Sequence, residues 1–294
     1  MPMLPRRRGG FTLAEVLISI VIIGIIGVAF TKLVMQQSRF FTREYGAQNA
    51  RQVARNSMNL LMSDLRMVQD SGGIDSASSG GHTIRVIVPY QYGLVCKITA
   101  SATIASLLPV DSSAVALAKY AGYAWRNSSG RYTIVTPTSP QGSDSVQSYA
   151  TTSDCTGTGS GQAGISTLTI NGRAGRVVSL TPVAASASVR TPLFLYQKIT
   201  YTFAASSAFP GKYGLYRTPS GGSSEEIMAP FDSSARFKFY VTGQDTSQTT
   251  VPSLYNIRGV DIVLNGLAQQ ANPGQSPTQV KMTTAVFFRN RRSF

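Results

Sequence analysis

The chain has 294 residues and a mass of 31.4 kDa, enough for one large domain or two ordinary ones. Its residues are 43% hydrophobic and 14% charged, where ordinary soluble domains carry about 25% charged residues, so a fully disordered chain is excluded. One His, two Cys and 13 Asp+Glu speak against a metalloenzyme or a disulfide-dense scaffold, no metal or other cofactor is expected, and the net charge of +14 suits nucleic acid, an anionic membrane face or an acidic partner.

Residues 1–10 form a short leader carrying Arg6, Arg7 and Arg8. Residues 11–30, FTLAEVLISIVIIGIIGVAF, are apolar apart from Glu15. Twenty helical residues span about 30 Å, the thickness of the hydrocarbon core of a bilayer. The basic leader predicts a cytoplasmic N-terminus, with the rest of the protein across the membrane. The segment can be read in three ways. It can be a signal peptide cut near Gly27-Val28-Ala29, an anchor that is never cut, or a leader cut before the apolar run so that the run is kept. Arg7-Arg8 fits a twin-arginine signal poorly in its spacing to Phe11. Glu15 bears on the choice, because a carboxylate inside a membrane segment costs about 2.5–3.5 kcal/mol on insertion scales. A signal peptide or plain anchor gains nothing from it, whereas a waiting partner cation would account for it.

The run Arg8-Gly9-Gly10-Phe11-Thr12-Leu13-Ala14-Glu15, followed by aliphatic residues, resembles the N-terminus of type IV pilins and type II secretion pseudopilins. The resemblance implies cleavage by a prepilin peptidase between Gly10 and Phe11 and N-methylation of Phe11. It also implies that the kept helix packs among other such helices in a filament, with Glu15 neutralising the Phe11 amine of a neighbour. A buried charge pair must be matched to offset its desolvation, so such a pair sets register rather than adding much net stability.

Beyond Phe30 the helical pattern continues. Ala54, Met58, Leu61, Leu65 and Val68 recur at spacings of four and three, with Arg51, Arg55, Asn59, Asp64 and Arg66 off that stripe. No proline interrupts residues 6–88, and Ser71-Gly72-Gly73 supplies a stop. From residue 74 onward Ser, Thr, Gly and Pro become frequent and short β-rich runs follow. Strands are predicted over residues 83–88, 131–136, 166–170, 197–203, 213–217, 236–241, 259–264 and 283–289. Residues 138–165 read as a surface loop. Consecutive strands with no helix between them suggest a mostly antiparallel sheet packed on the helix, an α+β fold. The expected division is a leader (1–10), a membrane-spanning and polymerising helix (11–30), its amphipathic continuation (31–70) and an extracytoplasmic β-rich domain (71–294).

The runs Gly214-Leu215-Tyr216-Arg217, Phe237-Lys238-Phe239-Tyr240, Val260–Leu264 and Phe287-Phe288-Arg289-Asn290-Arg291 resemble PilW-type minor pilins and J-type minor pseudopilins. That resemblance implies a subunit first held in the inner membrane and then carried into a filament at the periplasm or cell surface. The partners it implies are other major and minor pilin or pseudopilin subunits, a prepilin peptidase and an inner-membrane assembly platform, with lipid as the surroundings before assembly.

Cys96 and Cys155 make an even count that can form a disulfide outside the cytoplasm, the alternative being two separate buried thiols. Residues 159–164 satisfy GxGxxG, yet no strand precedes them and no helical pattern follows, so a nucleotide site fails its own test. His82, the single histidine, is the only candidate base for a serine triad, and a lone loop histidine does not make one. Glu225 and Glu226 are adjacent, so on a strand they point to opposite faces. No enzymatic activity is expected. Loss of the leader would lower the net charge from +14 to +11. The remaining basic residues, among them Arg173, Arg176, Arg236, Lys238, Arg289, Arg291 and Arg292, are either an ordinary solvated surface or a binding surface for DNA or another anionic polymer, with salt-sensitive affinity.

Overall fold

The absence of proline and the sparing use of glycine in this early part of the sequence produce one continuous helix, α1 (Leu13–Leu65). The computed structural model describes residues 12–68, 73–109, 121–135, 146–149, 153–157, 164, 169–250, 253–269 and 276–288. The helix ends at Leu65, a few residues before the expected stop. Met67 N donates to Asp64 O and Val68 N to Leu65 O, bonds that tighten the last turn and bring Val68 into the core.

Fifteen strands follow among the described residues. They are β1 (Ile74–Ala77), β2 (Thr83–Ile98), β3 (Thr103–Leu107), β4 (Gly122–Arg126), β5 (Tyr132–Val135), β6 (Val146–Tyr149), β7 (Thr169–Ile170) and β8 (Arg173–Ala174). The series continues with β9 (Val177–Leu180), β10 (Pro192–Ala205), β11 (Tyr213–Pro219), β12 (Glu225–Phe231), β13 (Arg236–Val241), β14 (Ile257–Leu267) and β15 (Gln279–Phe287). A short helix, α2 (Ser153–Thr156), lies between β6 and β7. Thirteen of the strands form one sheet in which every pairing is antiparallel. The fold is therefore α+β, one long helix against a mostly antiparallel sheet.

The sheet is organised around its two longest strands. β2 and β10 pair from Thr83↔Thr202 to Leu94↔Pro192, with one register shift between Leu195 and Tyr196. On the far side of β10, β11 pairs with its C-terminal half and β4 with its N-terminal residues. On the far side of β2, β1 covers the first residues and β3 the last. The ladder thus joins two lobes. The larger core packs the α1 stripe Ala54, Met58, Leu61 and Leu65 against Ile84, Phe203, Phe231 and Phe237. Phe203 sits 5.7 Å from Phe231, edge on, and 5.1 Å from Phe237. Burying each of these leucines contributes about 1.5–3 kcal/mol. The second lobe has its own core around Val95, Leu107, Tyr123, Trp125, Leu193 and Leu195, to which α1 contributes nothing.

Two expectations are corrected. Residues 138–165 are not wholly loop: β6 pairs with β9, and α2 carries Cys155 into a buried site. Strands β1, β3, β4, β6, β8, β9 and β12 are additions to the expected set. β3 (TIASL) is buried at every position and so has no alternation to read. The strand expected at 166–170 is described only at Thr169 and Ile170, in the separate β7–β8 hairpin.

Gly266 in β14 sets how closely α1 can approach. A methyl group there would strike Ala50 O and lie 3.4 Å from the Ala54 Cβ. Gly266→Ala should therefore cost about 1–3 kcal/mol by overpacking, read as a lowered Tm in circular dichroism of the detergent-solubilised protein.

Glu226 organises the turn between β10 and β11. Its carboxylate accepts hydrogen bonds from the Ser206 and Ser207 hydroxyls, from Ser207 N at 2.9 Å and from Ala208 N at 3.3 Å. Partial burial alone would raise this carboxyl, but those bonds outweigh it and hold it below the usual carboxylate range. A folded-state value below the unfolded one stabilises the protein at neutral pH, and the contribution is lost as pH falls through the folded value. The Tm difference between the wild type and Glu226→Gln should accordingly shrink on acidification below the ordinary carboxylate range. A difference independent of pH would show that the charge has no such role.

Candidate assembly interface

Thr12 and Glu15 close the N-terminus of α1 with a reciprocal cap. Glu15 N donates to Thr12 Oγ1 at 3.3 Å, while Thr12 N and Thr12 Oγ1 donate to Glu15 Oε2 at 2.9 and 3.0 Å. Two of the amide donors that a helix start leaves unpaired are satisfied, and a negative charge is placed at the positive end of the helix. The carboxylate thus has a local use as well as any use toward a neighbour. Its signal is Thr-x-x-Glu before an apolar run, a pattern that weighing Glu15 by its membrane cost alone overlooks. Gly10 and Phe11, the expected cleavage and methylation positions, lie outside the described residues, as does the rest of the leader.

From Leu13 to Phe41 every residue of α1 is exposed. The span is long and apolar enough to cross a membrane, and none of its most apolar stretch is buried in the protein. The two hydroxyl groups of its most apolar part do not offset that character, because they are satisfied within the helix: Ser19 Oγ donates to Glu15 O at 2.7 Å and Thr31 Oγ1 to Gly27 O at 2.8 Å. Ile18, Ile23, Ile25 and Phe30 are each at least 60% exposed. An apolar rod of this size, about 40 Å at 1.5 Å per residue, needs lipid or other helices around it.

Burial begins at Gly46 and Ala47. Beyond the apolar stripe, a polar cluster ties the helix to the sheet. Tyr201 Oη on β10 donates to Asp64 Oδ2, Arg217 Nη2 on β11 lies 3.8 Å from the same carboxylate oxygen, and Arg217 Nε donates to Tyr201 Oη at 3.4 Å. Burial, followed by the Asp64 charge, pushes the Tyr201 phenol up, so it stays a protonated donor. The helical period puts Asp64 off the apolar stripe. The structure nevertheless brings it to the sheet because a partner tyrosine and arginine wait there, which no periodicity in the helix could reveal. Tyr201→Phe should cost about 1–3 kcal/mol by removing a donor from a half-buried carboxylate, seen as a lower midpoint in urea unfolding. An unchanged midpoint would mean that the cluster does not hold the helix.

The remaining candidates are scattered. Cys96 on β2 and Cys155 on α2 are joined by a disulfide across 59 residues of sequence, and both are buried. It clasps α2 to the β2–β3 edge beside Ala102, Ile104 and Val177. His82 lies in the β1–β2 turn, where its carbonyl accepts from Phe203 N. Its ring Nδ1 has no hydrogen-bond partner among the described residues, so no triad forms through that atom. Glu225 is exposed at the start of β12, and Glu226 is taken up in the turn between β10 and β11. Of the GxGxxG run only Gly164 is described. Arg173 lies in the β7–β8 hairpin, Arg176 just before β9, and Arg236 and Lys238 on the outer face of β13, whose Phe237 and Phe239 face the core. These basic residues are not gathered into one patch, and Arg289, Arg291 and Arg292 lie outside the described residues.

Residues 5–31 match the family model of the prokaryotic N-terminal methylation motif. Neither a curated protein nor a solved structure matches the sequence. The match spans part of the leader, the candidate cleavage site, the cap and the apolar run, and ends where α1 begins to turn polar.

Proposed function

We propose that this type IV pilin-like protein is a minor structural subunit, cut between Gly10 and Phe11, N-methylated on Phe11 and then incorporated into, or priming, a type IV pilus or type II secretion pseudopilus. The motif at its N-terminus implies, in general terms, processing by a prepilin peptidase, membrane anchoring and assembly with other pilin subunits. The observation that carries the reading further is the form of α1. A single rigid helix serves as a bare apolar rod at one end and as a docked core element at the other. Such a rod can leave the bilayer only if other apolar helices replace the lipid around it.

Before assembly the subunit sits in the inner membrane with its leader in the cytoplasm, as the basic leader favours, and its head is in the periplasm. The size of the head favours a minor position, at a tip or in a priming complex, because so large a domain is hard to repeat along a thin shaft. The subunit acts by packing and charge pairing rather than by catalysis. The work of extraction from the membrane comes from the assembly platform.

Glu15 then has two roles that substitution can separate. Glu15→Gln keeps a side chain able to cap Thr12 N but removes the charge, whereas Glu15→Ala removes both. In the native membrane the wild type should begin at N-methylated Phe11 by intact mass and N-terminal sequencing. Glu15→Gln should be inserted and cut normally yet enter filaments about tenfold less, scored by immunoblot of sheared filaments, since the amine of its neighbour is left unmatched. A protein that starts at Met1 or Phe30 would overturn the filament reading. Normal incorporation of Glu15→Gln would overturn the pairing role alone.

A further inference from the structure

The lobe that does not touch α1 contains a cleft of about 600 Å³ between the β4–β5 hairpin and the segment leading into β10. The volume lies within the range of small-ligand sites. The β4–β10 ladder starts at Trp125 opposite Leu193, so Arg126 and Asn127 leave the sheet beside Pro192 and Thr191. Arg126 lines one wall, its Nε donating to Gly130 O at 3.2 Å across the hairpin turn. Arg190 lines the other.

Arg190 has a backbone φ of 67°, a left-handed conformation that is strained for a non-glycine residue. Its backbone is fixed there from both sides: Arg190 N donates to Val95 O at 2.7 Å and Val95 N to Thr191 O at 2.9 Å. A glycine would hold that turn without strain, yet the position carries a guanidinium at the cleft. Besides the two arginines the lining offers Asn127, whose Oδ1 accepts from Arg131 N at 3.0 Å, and Ser128, Ser186 and Ser188, and none of the described lining residues is acidic. The ligand that matches two guanidiniums, an amide and several hydroxyls is an anion that also carries hydroxyl groups. Single-stranded nucleic acid fits less well, because it relies on exposed aromatic platforms, and the one aromatic side chain among the described lining residues, Trp125, is 6% exposed.

We propose that this cleft binds an acidic saccharide, with a sugar carboxylate held by Arg126 and Arg190 and the ring hydroxyls by Asn127 and the three serines. The core of that lobe contains no α1 residue, so the cleft is built without the helix that packs in a filament. The recognition is charge-assisted and weakens with salt.

The test is calorimetric titration of the full-length protein in detergent micelles with three probes: a galacturonic acid trimer, the neutral galactose trimer and a short oligothymidine. The acidic trimer should bind, and the neutral one should bind about tenfold more weakly or not at all. Arg126→Ala and Arg190→Gly should each weaken acidic-trimer binding about tenfold. Glycine at 190 keeps the left-handed backbone, so an intact Tm shows that the loss is not unfolding. Lys238→Ala, on β13 in the other lobe, should leave binding unchanged. No acidic-trimer binding at low salt, equal binding of the neutral trimer, or indifference to both arginine substitutions would overturn the proposal. Tighter oligothymidine binding lost through the same substitutions would overturn it in favour of nucleic acid.

Discussion

The close approach of α1 to β14 governs the rest of the molecule. Ala50 and Ala54 on the helix and Gly266 on the strand leave almost no space between the two backbones. That contact seats the stripe of Met58, Leu61 and Leu65 among the phenylalanines of the sheet, and it brings Asp64 within reach of Tyr201 and Arg217. It also fixes where the helix leaves the domain. Burial stops at Gly46, so the apolar stretch N-terminal to it projects as a free rod whose base is held rigidly. A helix of this apolarity would otherwise fold back on its own head or aggregate, because exposed apolar surface of this extent is stable only in lipid or among similar helices.

The sheet answers a different problem. A single helix stripe can seal only one core, and the residues that follow α1 far outnumber those within it. The long β2–β10 ladder carries the sheet past the reach of α1 and opens a second core, closed by β3, β4 and β9. Two devices compensate there for the missing helix. The Cys96–Cys155 disulfide ties α2 to the sheet, and the Tyr123 hydroxyl bonds Pro182 O from within the core. The result is a head with one lobe committed to the helix and another free to present a surface, including the cleft between Arg126 and Arg190.

Electrostatics divides along the same line. Charge is absent from the apolar rod after Glu15 until Lys32. Asp75, by contrast, bridges Lys198 at 2.9 Å and also pairs with Arg85, tying β1 and β2 to β10. Glu226 fixes a turn and Asp64 fixes the helix. Acidic residues are scarce, and these act as internal fasteners. Much of the remaining excess positive charge is spread over the surface.

The N-terminal helix is written in local patterns. Hydropathy, the basic leader, Glu15 and the spacing of Ala54, Met58, Leu61, Leu65 and Val68 all have a fixed period or position, and a helix without proline has only one way to express them. The Thr12–Glu15 cap is legible in the same way, as a four-residue motif, although the membrane cost of the carboxylate points first to a distant partner. The alternating strand Arg236–Val241 is legible too, since one face is buried more than the other. Other features exist only in the folded molecule. Wholly buried strands such as β3 have no alternation, and the pairing of β2 with β10 joins residues as much as 119 positions apart. The partner of Asp64 lies 137 residues away, and the cleft is assembled from a hairpin and a loop that no local period connects. Such contacts are set by sheet register and by the approach of helix to strand, which depend on the whole molecule at once.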